Sequence, residues 1–214
     1  MSQSLYETIQ HIVQEELARL RVAELATVQD LHPHASGSDK DNYACTIKLR
    51  DSGIVLKQVP VATGRIGSVC IPAVGELVLV QFIGGDLNGA VITGRLYNDQ
   101  DRPPVNQDGQ HILHVPLGAG DDDAVHIELT SDKRQALVKL GKGLSLTAQD
   151  DDPVIKIEID GGKAKIQVDR DGAVSLESQG AIKVKGNELT VEAQGELNLK
   201  GSTVNIKGNT VNIN

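Results

Sequence analysis

The stretch AIKVKGNELTVEAQGELNLKGSTVNIKGNTVNIN, residues 181–214, decides the fold. Read together with the residues before it, it is a series of short runs in which apolar and polar residues alternate. The apolar pairs are Ile166/Val168, Val174/Leu176, Ile182/Val184, Leu189/Val191, Leu197/Leu199, Val204/Ile206 and Val211/Ile213, at successive steps of 8, 8, 7, 8, 7 and 7 residues. Period-two alternation puts each pair on one face of a strand. Recurrence at a near-constant step marks a repeat architecture. An apolar face two residues wide cannot cover itself, so neighbouring units or neighbouring chains must cover it.

Two architectures meet that requirement. A single-chain parallel β-helix needs longer coils than these units supply. An intertwined homotrimer needs one short strand per chain per layer, with Val, Ile and Leu turned to a shared axis. Lys183, Lys185, Glu192, Asn198, Lys200, Asn205 and Lys207 then alternate outward. Gly180, Gly186, Gly195, Gly201 and Gly208 bend the chain between units. Closure around an axis also removes open β-edges. The expected element is a trimeric β-prism over residues 154–214. Its last layer, Val211, Ile213 and Asn214, would offer a small apolar face with an amide rim to a tip partner.

The rest of the chain divides by pattern. Residues 1–22 read as a helix, with Leu5, Ile9, Ile12, Val13, Leu17 and Leu20 at helical spacing and a capping box from Ser4 and Glu7. One helix of this length is not stable alone, so its apolar stripe must meet its own domain or a partner. Residues 23–104 carry five β-rich runs separated by turn-forming segments such as HPHASGSDKDN, RDSG and IGGDLNG. Five strands without an intervening helix fit a small barrel such as an OB-fold. Residues 105–153 read as a β-rich connection.

Composition narrows the function. Aromatics are 2% of residues and the net charge is −8 with no basic cluster, which excludes nucleic-acid binding through a basic or stacking surface. Cys45 and Cys70 sit among apolar residues and read as buried free thiols. No apolar run approaches the roughly 20 residues of a membrane span, and the N-terminus lacks the pattern of a cleaved signal, so synthesis in the cytoplasm is expected.

The segment PAVGELVLVQFIGGDLNGAVITGRLYNDQDRPP, residues 72–104, resembles the OB-fold domain of contractile-tail spike proteins: the phage baseplate assembly protein V family and the related VgrG proteins of type VI secretion. The shared pattern falls on Pro72, Gly75, Glu76, Val78, Val80, Phe82, Gly85, Asp86, Gly94, Tyr97 and Asn98. Physically, Gly75 and Gly85 would serve turns, Val78, Val80 and Phe82 would point inward, and Asp86 would hydrogen-bond backbone in its turn. The resemblance implies a homotrimeric central spike at the baseplate of a virion or phage-tail-like particle. That spike is attached to a hub protein and driven through the target cell envelope when the sheath contracts.

Departures from the family refine the expectation. Residues 105–153 are too few for the lysozyme domain of some relatives. Only 22 residues precede the barrel, so the hub would be a separate protein. No histidine follows His126, so a histidine-rich, iron-binding apex is absent and a PAAR-type tip protein would finish the point.

Reactive chemistry is sparse. His32-Pro33-His34 lies in a polar loop without an evident third ligand. His111 and His114 are three apart in a β-like run and need not face the same way. Asp121–Asp123 and Asp150–Asp152 lack the EF-hand alternation and read as charged turns. No Gly-x-Ser-x-Gly, Walker spacing or placed carboxylate pair occurs. The expectation is a non-enzyme without cofactor, metal or catalytic residue. The alternative is an OB-fold carbohydrate- or surface-binding module on a trimeric stalk, since barrels of this type bind saccharides.

Overall fold

A computed structural model describes residues 4–19 and 22–212. The protein is mostly β, with one short N-terminal helix, α1 (Leu5–Arg19), and two antiparallel sheets. The capping box closes α1: Glu7 N–H donates to Ser4 Oγ at 3.2 Å, and Ser4 N–H donates to Glu7 Oε2 at 3.0 Å. Leu5, Ile9, Ile12 and Val13 are all exposed.

The first sheet comprises β1 (Ala23–His32), β2 (Ala44–Leu49), β3 (Val55–Pro60), β4 (Leu77–Phe82) and β5 (Ala90–Leu96), in the order β3-β2-β1-β4-β5. The long β1 pairs with β2 along one side and β4 along the other, and a register shift between Val28 and Asp30 bends it. The sheet curls until Val61, just past β3, bridges Ile92 of β5 in parallel. That is an OB-type barrel. Its core holds Ala26, Val28, Cys45, Ile47, Leu49, Val59, Val78, Val80, Phe82, Ala90 and Ile92. Aliphatic residues fill so narrow a barrel, and the chain's one phenylalanine suffices to plug it. Cys45 is buried in this core and burial pushes its thiol up. Cys70 departs from expectation. It is exposed, because the apolar run around it lies in the loop before β4 and not in a strand.

The second sheet is a meander of seven strands in sequence order: β6 (Gln110–Val115), β7 (Val125–Thr130), β8 (Gln135–Leu140), β9 (Leu144–Gln149), β10 (Ile155–Ile159), β11 (Ala164–Val168) and β12 (Val174–Ser178). The boundary drawn between residues 153 and 154 therefore falls at a turn inside one continuous sheet. Residues 155–178 also differ from the expected one-strand-per-layer arrangement, since β10, β11 and β12 pair with each other within the chain. Positive φ suits the tight turns that join these strands. Asp160 (φ 47°), Gly161 (68°), Gly162 (95°) and Gly172 (88°) supply it.

After β12 the behaviour changes. Residues 179–212 form no strand within the chain. None of Gly180, Gly186, Gly195, Gly201 and Gly208 adopts positive φ, and the chain bends at or beside each of them without pairing with itself. The bends fall into two kinds. In LESQGAI (176–182) and VEAQGEL (191–197) the next apolar pair begins two positions after the glycine; in VKGNEL (184–189), LKGSTV (199–204) and IKGNTV (206–211) it begins three after. Only in the second kind would a Cβ on the glycine crowd the carbonyl oxygen two residues on, at 2.9 Å for Gly186, 3.4 Å for Gly201 and 3.2 Å for Gly208.

Candidate assembly interface

The seven-stranded sheet segregates its side chains by face. Cross-strand register puts Leu113, Ile127, Val138, Leu146, Ile157, Ile166 and Leu176 in one unbroken row. On one side of it runs Val115, Val125, Leu140, Leu144, Ile159, Ala164 and Ser178. On the other runs His111, Leu129, Ala136, Ala148, Ile155, Val168 and Val174. The opposite face carries His114, His126, Lys139, Ser145, Glu158, Lys165 and Glu177 in one row, and Ile112, Glu128, Leu137, Thr147, Lys156, Gln167 and Ser175 in the next. A sheet with one polar and one apolar face packs the apolar one against something.

Among the described residues, nothing covers that face. Leu113, Val115, Leu129 and Ile166 are exposed, and exposure reaches 70% at Val174 and 55% at Leu176. The pattern continues beyond β12, where Ile182, Val184, Leu189, Val191, Leu197, Leu199, Val204, Ile206 and Val211 are all exposed, Val184 at 67%. Among the described residues, no backbone hydrogen bond joins residues 181–212 to any other part of the chain. The chain's accessible surface is 16799 Å². A compact monomer of this mass would expose about 9,600 Å². Of the proposed tip face, Val211 is exposed, while Ile213 and Asn214 lie outside the described residues.

The turns at one edge of the sheet are pinned by charge. Asp150 binds Arg134 Nη2 and Arg170 Nη2, each at 2.8 Å. Its carboxyl is held below its usual value, first by the Arg170 hydrogen bond and then by the Arg134 charge. Asp152 Oδ1 accepts from Arg170 N–H at 2.6 Å. The aspartates of this run thus tie β8, β9 and β11 together through their turns.

The residues that carry the family resemblance lie in the barrel. Pro72 is fully buried. Gly75 takes φ 94° and its N–H donates to Val28 O at 2.9 Å. Glu76 faces Arg95 at 3.6 Å. Val78, Val80 and Phe82 point into the core. Gly85 takes φ 76° in the turn Ile83–Gly85. Asp86 caps the turn Leu87–Gly89 by accepting from Asn88 N–H at 2.9 Å. Gly94 lies on β5 against Leu79, Tyr97 is exposed just beyond β5, and Asn98 Oδ1 accepts from the N–H groups of Gln100 (2.7 Å) and Asp101 (2.8 Å). These are turn and core positions.

The histidines separate. His32 Nε2 bonds Thr46 Oγ1 and His34 Nδ1 bonds Asp39 Oδ1, each at 2.9 Å, so the pair does not converge. His111 and His114 stand on opposite faces of β6. His114 instead meets His126, directly across on β7. Sequence spacing did not show that encounter, although two histidine-bearing runs joined as a hairpin were the signal for it.

The fold thus defines a protein with an OB-type barrel and an uncovered β surface. Residues 51–97, from the β2–β3 turn through β5, match the type VI secretion system/phage-baseplate injector OB domain family. That match bears out the resemblance over residues 72–97. Over that stretch the chain is similar to a baseplate injector OB domain, and the match supports a baseplate-related role.

Proposed function

We propose that the chain is one protomer of a homotrimeric central spike. Three copies turn the apolar face of the second sheet inward and continue as an intertwined prism from about residue 179. The observation that carries this reading is the apolar face, seven strands wide, running without a break into residues 181–212, whose backbone has no hydrogen-bond partner among the described residues. Unpaired backbone and exposed aliphatic side chains are both costly. Covering one side chain of this size contributes about 1.5–3 kcal/mol, and three copies around an axis satisfy both needs at once.

The mechanism is mechanical and non-enzymatic. A narrow, closed prism without long loops transmits axial force and passes through an envelope with little to snag. The barrel forms the base and meets a hub protein, α1 adds a docking element there, and a PAAR-type tip protein seats on the far end. These partners, and puncture of the target cell envelope on sheath contraction, come from the family resemblance. The spike is assembled into the baseplate of a virion or phage-tail-like particle.

Light scattering of the purified chain tests the reading. The expected mass is three protomers, resistant to SDS without heating. Val184→Asp places three carboxylates at one apolar layer and abolishes the trimer, whereas Lys185→Asp leaves it intact. A monomer, or equal tolerance of the two substitutions, removes the proposal.

A further inference from the structure

On the polar face of the second sheet, His114 of β6 and His126 of β7 approach with Nδ1 to Nδ1 at 3.1 Å. Their rings lie at 72° to each other. The outer nitrogen of each ring is already committed. His114 Nε2 is 2.8 Å from the carbonyl oxygen of Ala119, which can only accept, so this nitrogen carries the proton. His126 Nε2 is 3.4 Å from the Glu128 carboxylate, which also accepts. With both outer nitrogens protonated, a neutral ring on each side turns its Nδ1 lone pair toward the other. Two lone pairs at that distance repel unless a proton or a cation lies between them.

A third donor completes the set. The turn Asp121–Asp123 brings Asp121 over the pair, and the ligand atoms of His114, Asp121 and His126 all lie within 4.8 Å of one another. Asp121 Oδ2 is held by Lys139 Nζ at 3.0 Å, which leaves Oδ1 for a ligand role. We propose that His114 Nδ1, His126 Nδ1 and an Asp121 carboxylate oxygen form a binding site for a zinc-class divalent ion.

Three features suit that ion. Two nitrogens and one oxygen are a donor set for Zn²⁺, with a fourth position left to water. At Zn–N distances of about 2.0–2.1 Å, a tetrahedral site separates its nitrogens by roughly 3.3 Å, close to the spacing already present. The supports of the outer nitrogens, Ala119 O and Glu128, are the kind that fix ligand tautomers at metal sites. Glu128 is itself braced by the Thr130 hydroxyl at 2.8 Å and Gln110 Nε2 at 2.9 Å. An ion here ties the β6–β7 hairpin to the aspartate turn. It lies on the polar side of the sheet, away from the apolar face, so the site stands independently of the trimer.

Equilibrium dialysis of the full chain against Zn²⁺, after chelator treatment, tests the site. The expected result is about one ion per chain, and Co²⁺ in its place should give the visible absorption of a tetrahedral centre. His114→Asn with His126→Asn should abolish both signals, and His32→Asn with His34→Asn should leave both intact. Glu128→Gln should weaken binding by about 10–100-fold through the His126 ring. Absence of a stoichiometric ion in the folded wild-type protein overturns the proposal, as does retention of the ion by a folded His114/His126 variant or its loss from the His32/His34 variant. If the His114/His126 variant does not fold, the wild-type Co²⁺ spectrum decides.

Discussion

Val61 and Ile92 pair in parallel across the seam of the barrel, and the N–H of the adjacent Ala62 donates to Ile92 O at 2.8 Å. This contact turns five strands from an open sheet into a closed one, and it does so at a residue only 1% exposed. Ile92→Ala should leave a cavity at the seam and cost about 2–5 kcal/mol by denaturant unfolding of the barrel. Ile66→Ala, at a side chain 90% exposed, should change stability by no more than about 0.5 kcal/mol.

The face assignment of the second sheet makes a paired expectation. Leu146 and Thr147 are neighbours on β9 that point to opposite faces. Under the proposed arrangement, Leu146→Asp puts a carboxylate into the shared interior and should reduce the particle to monomers. Thr147→Asp, beside Leu137 and Lys156 on the polar face, should keep the trimer. Sedimentation of both variants is the check, and matching behaviour of the two would sink the assignment.

Asp150 should confer an acid-sensitive share of stability. Its folded carboxyl sits below the usual 3.8, chiefly through Arg170 and then Arg134. A depressed carboxyl contributes stability above its unfolded pKa and loses that contribution as pH falls through the folded one. The stability gap between wild type and Asp150→Asn should therefore be constant near neutrality. It should narrow below about pH 4, where the unfolded carboxyl begins to titrate, and vanish at lower pH. Unfolding midpoints measured from pH 7 to pH 2 would show it; a gap that widens on acidification would contradict the network.

The helix α1 exposes every apolar side chain described on it and is closed by its own capping box. Deletion of residues 1–20 should leave barrel stability and the three-chain stoichiometry unchanged but exclude the protein from assembled particles. Circular dichroism, light scattering and particle incorporation measure the three. Unfolding or dissociation of the truncated chain would place the helix in the core instead.

The barrel strands were legible because period-two alternation and turn chemistry coincide in residues 23–104. The hairpins of residues 155–178 were not separated from the repeats after them, because the two look alike in composition. What distinguishes Gly162 from Gly186 is the sign of φ, and a glycine in the sequence is silent on that. Cys70 was misplaced for a related reason, since an apolar run reads the same in a loop as in a strand. The meeting of His114 with His126 depends on register, which is set by the loop between them and not by spacing.

The unpaired stretch after β12 also bears on how quickly the parts form. The barrel draws its pairing and its core from one polypeptide, so it can fold at a rate independent of concentration, whereas the meander pairs within the chain but covers its apolar face only when copies meet. Residues 181–212 show no such internal route among the described residues, and they gain partners only when copies meet. Under the trimer reading, that stretch waits on encounter: dilution would slow its ordering while leaving the barrel's untouched, and newly made chains would exist for a time as folded bases with unfinished shafts.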